Sequence, residues 1–318
     1  MRILMVGAGA TGGYIGARLA QAGRDVTFLV REGRAQTLRQ RGLRLVLDGG
    51  GPAGPEGAPK VETVVPALMT AAELREPFDV VVLTVKATAL HAAITDMAPA
   101  VGPDTVIIPF LNGMAHMDAL ATAFGAGKVL GSTVQLITTV TPDGDIEVLM
   151  PLARWAIGEQ HGEVSSRVRD ILAVIDVPGF EATAVRDALA AMWHKWVFIV
   201  TAGVVTCLMR GPAGAIVAVP GGLEFVYAAL AEAVAVSTEA GFPVPEKQLG
   251  MALRLLTEPG STFTSSLYRD MSAGLPNEGE HLLGDFTRRA REQGLETPLI
   301  DLALMHLRVH EAQTGLDG

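Results

Sequence analysis

A single cysteine, Cys207, is all the thiol this 318-residue chain carries. That excludes an internal disulfide framework and fits a reducing compartment. Aromatic residues make up only 5% of the chain, so its interior has to be built from Ala, Val, Leu and Gly. No basic run stands out, and a net charge of −9 argues against a nucleic-acid partner. No Cys, His, Asp or Glu cluster has metal-ligand spacing, so no metal is expected. Long apolar runs are few: only Ala188–Met209 approaches the ~20 residues that span a bilayer. His194 and Lys195 near its start, with Gly203 and Gly211, favour a buried helix over a membrane span. The expectation is a soluble, cytoplasmic protein without a membrane partner.

What is present is apolar bulk. The chain is 49% hydrophobic and long enough for two domains. Ile3–Val6 is a continuous apolar run, as a parallel strand covered on both faces should be, and reads better as that than as a signal region. It feeds into Gly7-Ala8-Gly9-Ala10-Thr11-Gly12, followed by a helical pattern that Gly23 stops. Strand, glycine turn, then helix is the context in which GxGxxG means dinucleotide binding. The glycines allow a tight turn and close backbone approach to a pyrophosphate, and the helix N-terminus offers N–H groups to it.

The second strand, Asp25–Val30, bears on cofactor choice. It ends in Arg31, with Glu32 next and Arg34 close behind. A guanidinium there suits the 2′-phosphate of NADP, which is the expected cofactor. Glu32 leaves NAD open, since an acidic residue closing this strand would take the ribose hydroxyls. Two further apolar strands end in polar residues, Asp79–Val85 in Lys86 and Val106–Leu111 in Asn112. Ligands of open α/β sheets lie off such carboxyl ends, although either residue could simply satisfy its own turn. The segment Asp48–Pro59 is rich in Gly and Pro and reads as a surface loop joining LRLVL to VETVV, as a hairpin or an irregular excursion. Beyond Gly131 three short strands are expected, within 133–140, 145–150 and 154–159. A helix over 164–175 and a strand at 180–185 follow.

From Arg186 onward no convincing strand remains. Helices are expected over 187–209, 212–219, 222–240, 246–257, 264–272, 278–292 and 297–314. The fold class is therefore α/β: a Rossmann-type dinucleotide-binding domain over 1–185, then an all-helical domain over 186–318 that carries substrate and catalytic groups. Lys195 is the only charge in the most apolar helix, flanked by Trp193, Trp196, Val197 and Phe198. Burial of an ammonium lowers its pKa and makes it a proton donor near neutral pH. The alternative is a lysine that snorkels from the edge of a core helix.

These motifs in this order resemble the ketopantoate reductase (2-dehydropantoate 2-reductase) family over nearly the whole chain. The resemblance is carried by the glycine turn, Arg31, Thr84-Val85-Lys86, Leu111-Asn112-Gly113-Met114 and Trp193-x-Lys195. It extends to Ser265-Ser266-Leu267-Tyr268-Arg269-Asp270-Met271, with Glu278 beyond. It implies NADPH-dependent reduction of a 2-oxo acid, ketopantoate to pantoate in pantothenate biosynthesis, with Lys195 as the general acid. It also implies that Ser266 binds substrate and Lys86 cofactor, and that Asn112 and Glu278 reach both. Read from the residues alone, Ser266 could be a helix N-cap and Glu278 a capping or surface carboxylate. One departure stands out. The best-known family members carry Asn four and eight residues after the lysine, where this chain has Ile199 and Gly203.

Hydride delivery to the C2 carbonyl develops negative charge on its oxygen, which a nearby cation stabilises and then protonates. Two alternatives remain open. One is a reductase of the same fold acting on a less hydroxylated 2-oxo acid. The other is a non-catalytic NADP-binding sensor, which would have no use for Lys195. Apolar helices at 222–240 and 298–307 could supply the face of a homodimer.

Overall fold

A computed structural model describes residues 1–47 and 60–315, so the expected loop Asp48–Pro59 lies outside the described residues. The chain divides into two compact units. One comprises Met1–Leu111 with His116–Leu189, the other Asn112–Ala115 with Ala190–Gly318. The division falls between 189 and 190, inside a helix and four residues past the expected boundary at 185/186, and Asn112 belongs to the second unit.

The first unit begins with β1 (Arg2–Val6), α1 (Ala10–Gln21), β2 (Asp25–Leu29), α2 (Glu32–Arg41), β3 (Leu43–Leu47), β4 (Lys60–Val64) and β5 (Ala67–Met69). It continues with β6 (Val80–Leu83), α3 (Leu90–Met97), β7 (Val106–Pro109), α4 (Ala115–Phe124) and β8 (Gly131–Val140). It closes with β9 (Ile146–Gly158), α5 (Ser166–Ile175) and β10 (Glu181–Ala184). One sheet is wholly parallel in the order β5-β2-β1-β6-β7. Its strands VVVL and VIIP are buried along their whole length, as the unbroken apolar runs required. β5 was not expected; three residues are too few to show a period.

The second sheet runs β10-β9-β3-β4, with β8 also paired to β9. Here the sequence reading needs correction. The segments 145–150 and 154–159 are not separate strands but one strand, β9, because β8 pairs with it antiparallel from Gly131↔Gly158 to Val140↔Ile146. A bulge between Leu136 and Thr138 absorbs the irregularity that had looked like a break. β3 and β4 are the expected antiparallel pair. Helix α1 packs on both sheets through glycines: a Cβ on Gly16 would lie 2.3 Å from Phe28 of β2, and one on Gly13 would lie 2.3 Å from Ile146 of β9. Trp155, fully buried on β9, meets Phe110 edge-on at 4.9 Å and donates from Nε1 to Ser132 Oγ.

The second unit is helical: most of α6 (Ala188–Met209), then α7 (Ala213–Val217), α8 (Gly222–Glu239), α9 (Glu246–Thr257), α10 (Ser266–Ser272), α11 (Asp285–Glu292) and α12 (Pro298–Thr314). The helix expected over 278–292 begins instead with a π-helical turn, Glu280–Gly284, before α11. By length and composition α6 could cross a membrane, yet 61% of its most apolar window is buried inside the protein. Trp193 and Trp196 meet at 4.9 Å, and Phe286 packs on Trp196 at 4.7 Å. Two of the three tryptophans thus meet on one stretch of one helix.

Candidate active site

In the first unit the glycine turn is shaped by the neighbouring strand. Gly7, at the end of β1, has φ +104°, and a Cβ there would sit 3.2 Å from Thr84 Oγ1 and Val85 Cγ1. A Cβ on Gly12 would come within 2.1 Å of Thr84 Oγ1. The Thr84 hydroxyl donates a bond shared between Val6 O and Gly7 O, at 2.9 and 3.0 Å. The turn therefore depends on glycine where Thr84 approaches. Gly9 differs, because nothing lies within 4 Å of its Cβ position. It precedes α1, which has no side-chain cap, and Gly13 N–H is the donor that reaches back to Gly9 O. Helical geometry leaves the N–H groups of Ala10, Thr11 and Gly12 without intrahelical acceptors.

A pocket of about 700 Å³ opens over this turn. Gly7, Ala8, Gly9 and Arg31 all line it, with Val140 and Asp96 among the residues that complete it. Volume, open backbone at Gly9 and an unsatisfied helix N-terminus together suit an anionic dinucleotide. Arg31 is exposed on this pocket and its backbone caps α2. Glu32 is 3.6 Å from Arg39, which also faces Glu73 at 3.5 Å. Arg34 is half-buried, and its Nη2 donates to Ala8 O and Gly144 O. Lys86 is exposed, one residue beyond pocket-lining Val85.

In the second unit Lys195 lies on α6 with restricted solvent access, and desolvation by the surrounding protein lowers its pKa to about 8. Its neighbour Trp196 is fully buried and donates from Nε1 to Leu282 O at 3.1 Å. Leu282 N–H in turn donates to Glu278 O at 2.9 Å. His281 Nε2 donates to Asn112 O at 2.8 Å, since a carbonyl can only accept. Trp196 next to Lys195 and the backbones of Glu278 and Asn112 are thereby all bonded to the π-helical turn, a feature that recurs at functional sites. The Glu278 segment is clamped to α12: Asn277 is buried, its Nδ2 donates to Glu311 and its Oδ1 accepts from Gly279 N–H at 2.7 Å. A Cβ on Gly279 would lie 2.7 Å from Asn277 Oδ1 and 2.9 Å from Leu307 Cδ1, so a larger residue would crowd that clamp.

Ser266 is not the helix N-cap that residue type also allowed: it is exposed at the first position of α10, and the N-cap is Ser265, whose hydroxyl accepts from Tyr268 N–H and bonds Thr206 of α6 at 2.7 Å. Gly203 does not continue an open face from Lys195. A Cβ there would point at Leu267 of α10, 2.9 Å from Cδ1, with Leu283 at 3.8 Å. Ile199 remains partly exposed one turn after Lys195.

Sequence reasoning missed His281, Asn277 and the pocket wall at Val140. His281 follows Glu278 by three residues, the one signal that it shares a helical face with it. Asn277 and Val140 gave none. Among the described residues no group of three or more His, Cys, Asp or Glu side chains could hold a metal ion.

The family description "Ketopantoate reductase PanE/ApbA" matches residues 3–161, and "Ketopantoate reductase PanE/ApbA C terminal" matches 187–311. An uncharacterized oxidoreductase, YkpB of Bacillus subtilis, is 32% identical over 98% of this chain and 100% of its own. A 2-dehydropantoate 2-reductase of Mesorhizobium japonicum is 28% identical over 99% of both. The crystal structure of 2-dehydropantoate 2-reductase from Methylococcus capsulatus superposes with a TM-score of 0.83 at 26% identity, covering 99% of this chain and 98% of that one. The glycine turn and the lysine-bearing helix fall within consecutive matches that together span most of the sequence, and the chain belongs to the ketopantoate reductase PanE/ApbA family.

Proposed function

We propose that this oxidoreductase reduces a 2-oxo acid to the 2-hydroxy acid with NADPH, and that ketopantoate, reduced to pantoate for pantothenate biosynthesis in the cytoplasm, is the substrate. The observation that carries the reading is Lys195: an ammonium with a pKa lowered to about 8, on the helix next to the segment that bears Glu278. A bound reduced nicotinamide dinucleotide supplies the hydride. Lys195 hydrogen-bonds the carbonyl oxygen, stabilises the charge that develops there and gives up its proton, leaving the neutral amine to be reprotonated from solvent. Glu278, partly buried on its clamped turn, orients Lys195 or a substrate hydroxyl. Asn112 and Ser266 offer polar contacts to the acid, and Lys86 offers charge to the cofactor. Arg31, exposed on the pocket, takes the 2′-phosphate, and the neighbouring Glu32, which also lines the pocket, has Arg39 as a partner at 3.6 Å.

Ile199 supports a second reading, reduction of a less hydroxylated 2-oxo acid. It places an aliphatic side chain on the partly exposed turn after Lys195, where the family resemblance implies an amide. Oxidation of NADPH, followed with a panel of 2-oxo acids that includes ketopantoate and 2-oxoisovalerate, tests both. Turnover of ketopantoate far above the rest supports the first reading, and preference for an unhydroxylated acid supports the second. No turnover with any acid defeats both.

A further inference from the structure

We propose that Arg34 is a positioning residue for dinucleotide binding: it holds the tip of the β8–β9 hairpin as a wall of the pocket and so strengthens binding of NADPH and NADH alike. The inference rests on the dinucleotide reading above and deepens it.

Arg34 sits in the first turn of α2 and lines the pocket. Its Nη2 donates to Ala8 O in the glycine turn at 3.2 Å and to Gly144 O at the hairpin tip at 3.1 Å. One guanidinium thus joins the two loops that bound the same cavity. Val140, where β8 ends and the tip begins, contributes to the pocket wall. The tip is also gripped from outside, where Arg41 donates to Asp143 O at 2.7 Å and Arg41 and Arg44 pair with Asp145 at 3.4 and 3.5 Å. Of these three arginines, Arg34 alone lines the pocket. Charge-assisted bonds to two carbonyls fix the hairpin where a neutral side chain would let it swing. They commit Nη2 to backbone carbonyls, while Arg31 stands exposed on the same pocket for a phosphate. Two nearby arginines therefore divide the work, one discriminating between cofactors and the other shaping the site for both.

Fluorescence titration of the full chain with NADPH and with NADH tests this in Arg34→Gln, Arg34→Lys, Gly144→Ala and the Arg34→Gln/Gly144→Ala pair. Arg34→Gln should weaken both dinucleotides by the same factor, about tenfold, the scale of a lost charge-assisted bond. Arg34→Lys should keep part of the affinity, since an ammonium can still donate to a carbonyl. Gly144→Ala leaves Arg34 intact but forces a Cβ to 2.7 Å from its Nη1, at a backbone φ of +85°. It should reproduce the loss, and the double variant should be no worse than either single one. Backbone amides across 140–145 should exchange faster in Arg34→Gln. A loss confined to NADPH would overturn the proposal by making Arg34 a phosphate ligand. Unchanged affinities in Arg34→Gln and Gly144→Ala would overturn it too. If Arg34→Gln does not fold, Arg34→Lys and Gly144→Ala decide the matter by the same comparison. Failure of the unmodified protein to bind either dinucleotide would sink the cofactor reading along with it, whereas inactivity towards ketopantoate leaves it untouched.

Discussion

Trp196 Nε1 donates to the backbone carbonyl of Leu282 at 3.1 Å, a buried bond that ties the residue beside Lys195 to the π-helical turn after Glu278. The bond is buried on both sides, so the turn should be sensitive to loss of the donor. Trp196→Phe keeps an aromatic ring against Phe286 but leaves the Leu282 carbonyl unsatisfied. It should lower unfolding free energy by about 1–3 kcal/mol and reduce kcat more than it changes NADPH affinity. Denaturant unfolding and cofactor titration check the two halves of that expectation.

Lys195 should set a pH limit. With its pKa lowered to about 8, kcat/KM should fall above that pH as the proton donor is lost. Lys195→Ala should cut turnover by about 10² or more at neutral pH with cofactor affinity nearly unchanged, and Lys195→Arg should rescue little because guanidinium holds its proton. A flat profile to pH 10, or full activity in the alanine variant, would return Lys195 to a packing role. Stability follows the same group. Between pH 8 and its ordinary 10.5 the unfolded chain keeps a proton that the folded chain has released, so this lysine's burial penalty is full below 8 and fades as pH rises through the window. Lys195→Met should therefore gain most over the unmodified protein below pH 8, and the gap should close towards 10.5.

Cofactor preference should follow Arg31. NADPH should bind at least about tenfold tighter than NADH, and Arg31→Ala should remove most of the difference by deleting the phosphate's partner. Equal affinities in the unmodified protein would refute this assignment.

Positions 199 and 203, which sequence alone treats as a pair, should behave differently. Ile199→Asn adds an amide on a partly exposed turn and should raise preference for ketopantoate over 2-oxoisovalerate by up to about 1–2 kcal/mol. Gly203→Asn must displace Leu267, whose Cδ1 would be 2.9 Å from the new Cβ, and should destabilise by about 1–3 kcal/mol. Melting temperatures of the two variants separate the cases.

Cys207 should be inert. It is buried on α6, and burial pushes its thiol up to about 12. Thiol reagents should label the folded protein far more slowly than the unfolded chain, without loss of activity before unfolding.

Much of this was legible in one dimension. The run Ile3–Val6, the GxGxxG turn and Arg31 lie within a short stretch of chain, and strand, turn and helix there are local consequences of apolar continuity and glycine freedom. The isolation of Lys195 in an apolar helix is equally local, as is the sole cysteine's burial in the same helix. Other features depend on residues far apart in the chain, and no local pattern encodes them. Gly12 is required because Thr84 comes within reach from another strand. The broken reading of 145–159 became one strand only because β8 pairs along it. Gly203 faces Leu267 rather than open space because α10 packs there. Asn112, His281 and Trp196 meet because a π-helical turn aims one carbonyl at the indole while its histidine reaches a distant backbone. The sequence by itself determined the dinucleotide turn, the α/β-then-helical architecture and the isolation of Lys195 in an apolar helix, since each follows from residue type and spacing. The tertiary structure alone decided which side chains cap, clamp and wall the sites, because those roles are set by contacts whose partners no local spacing predicts.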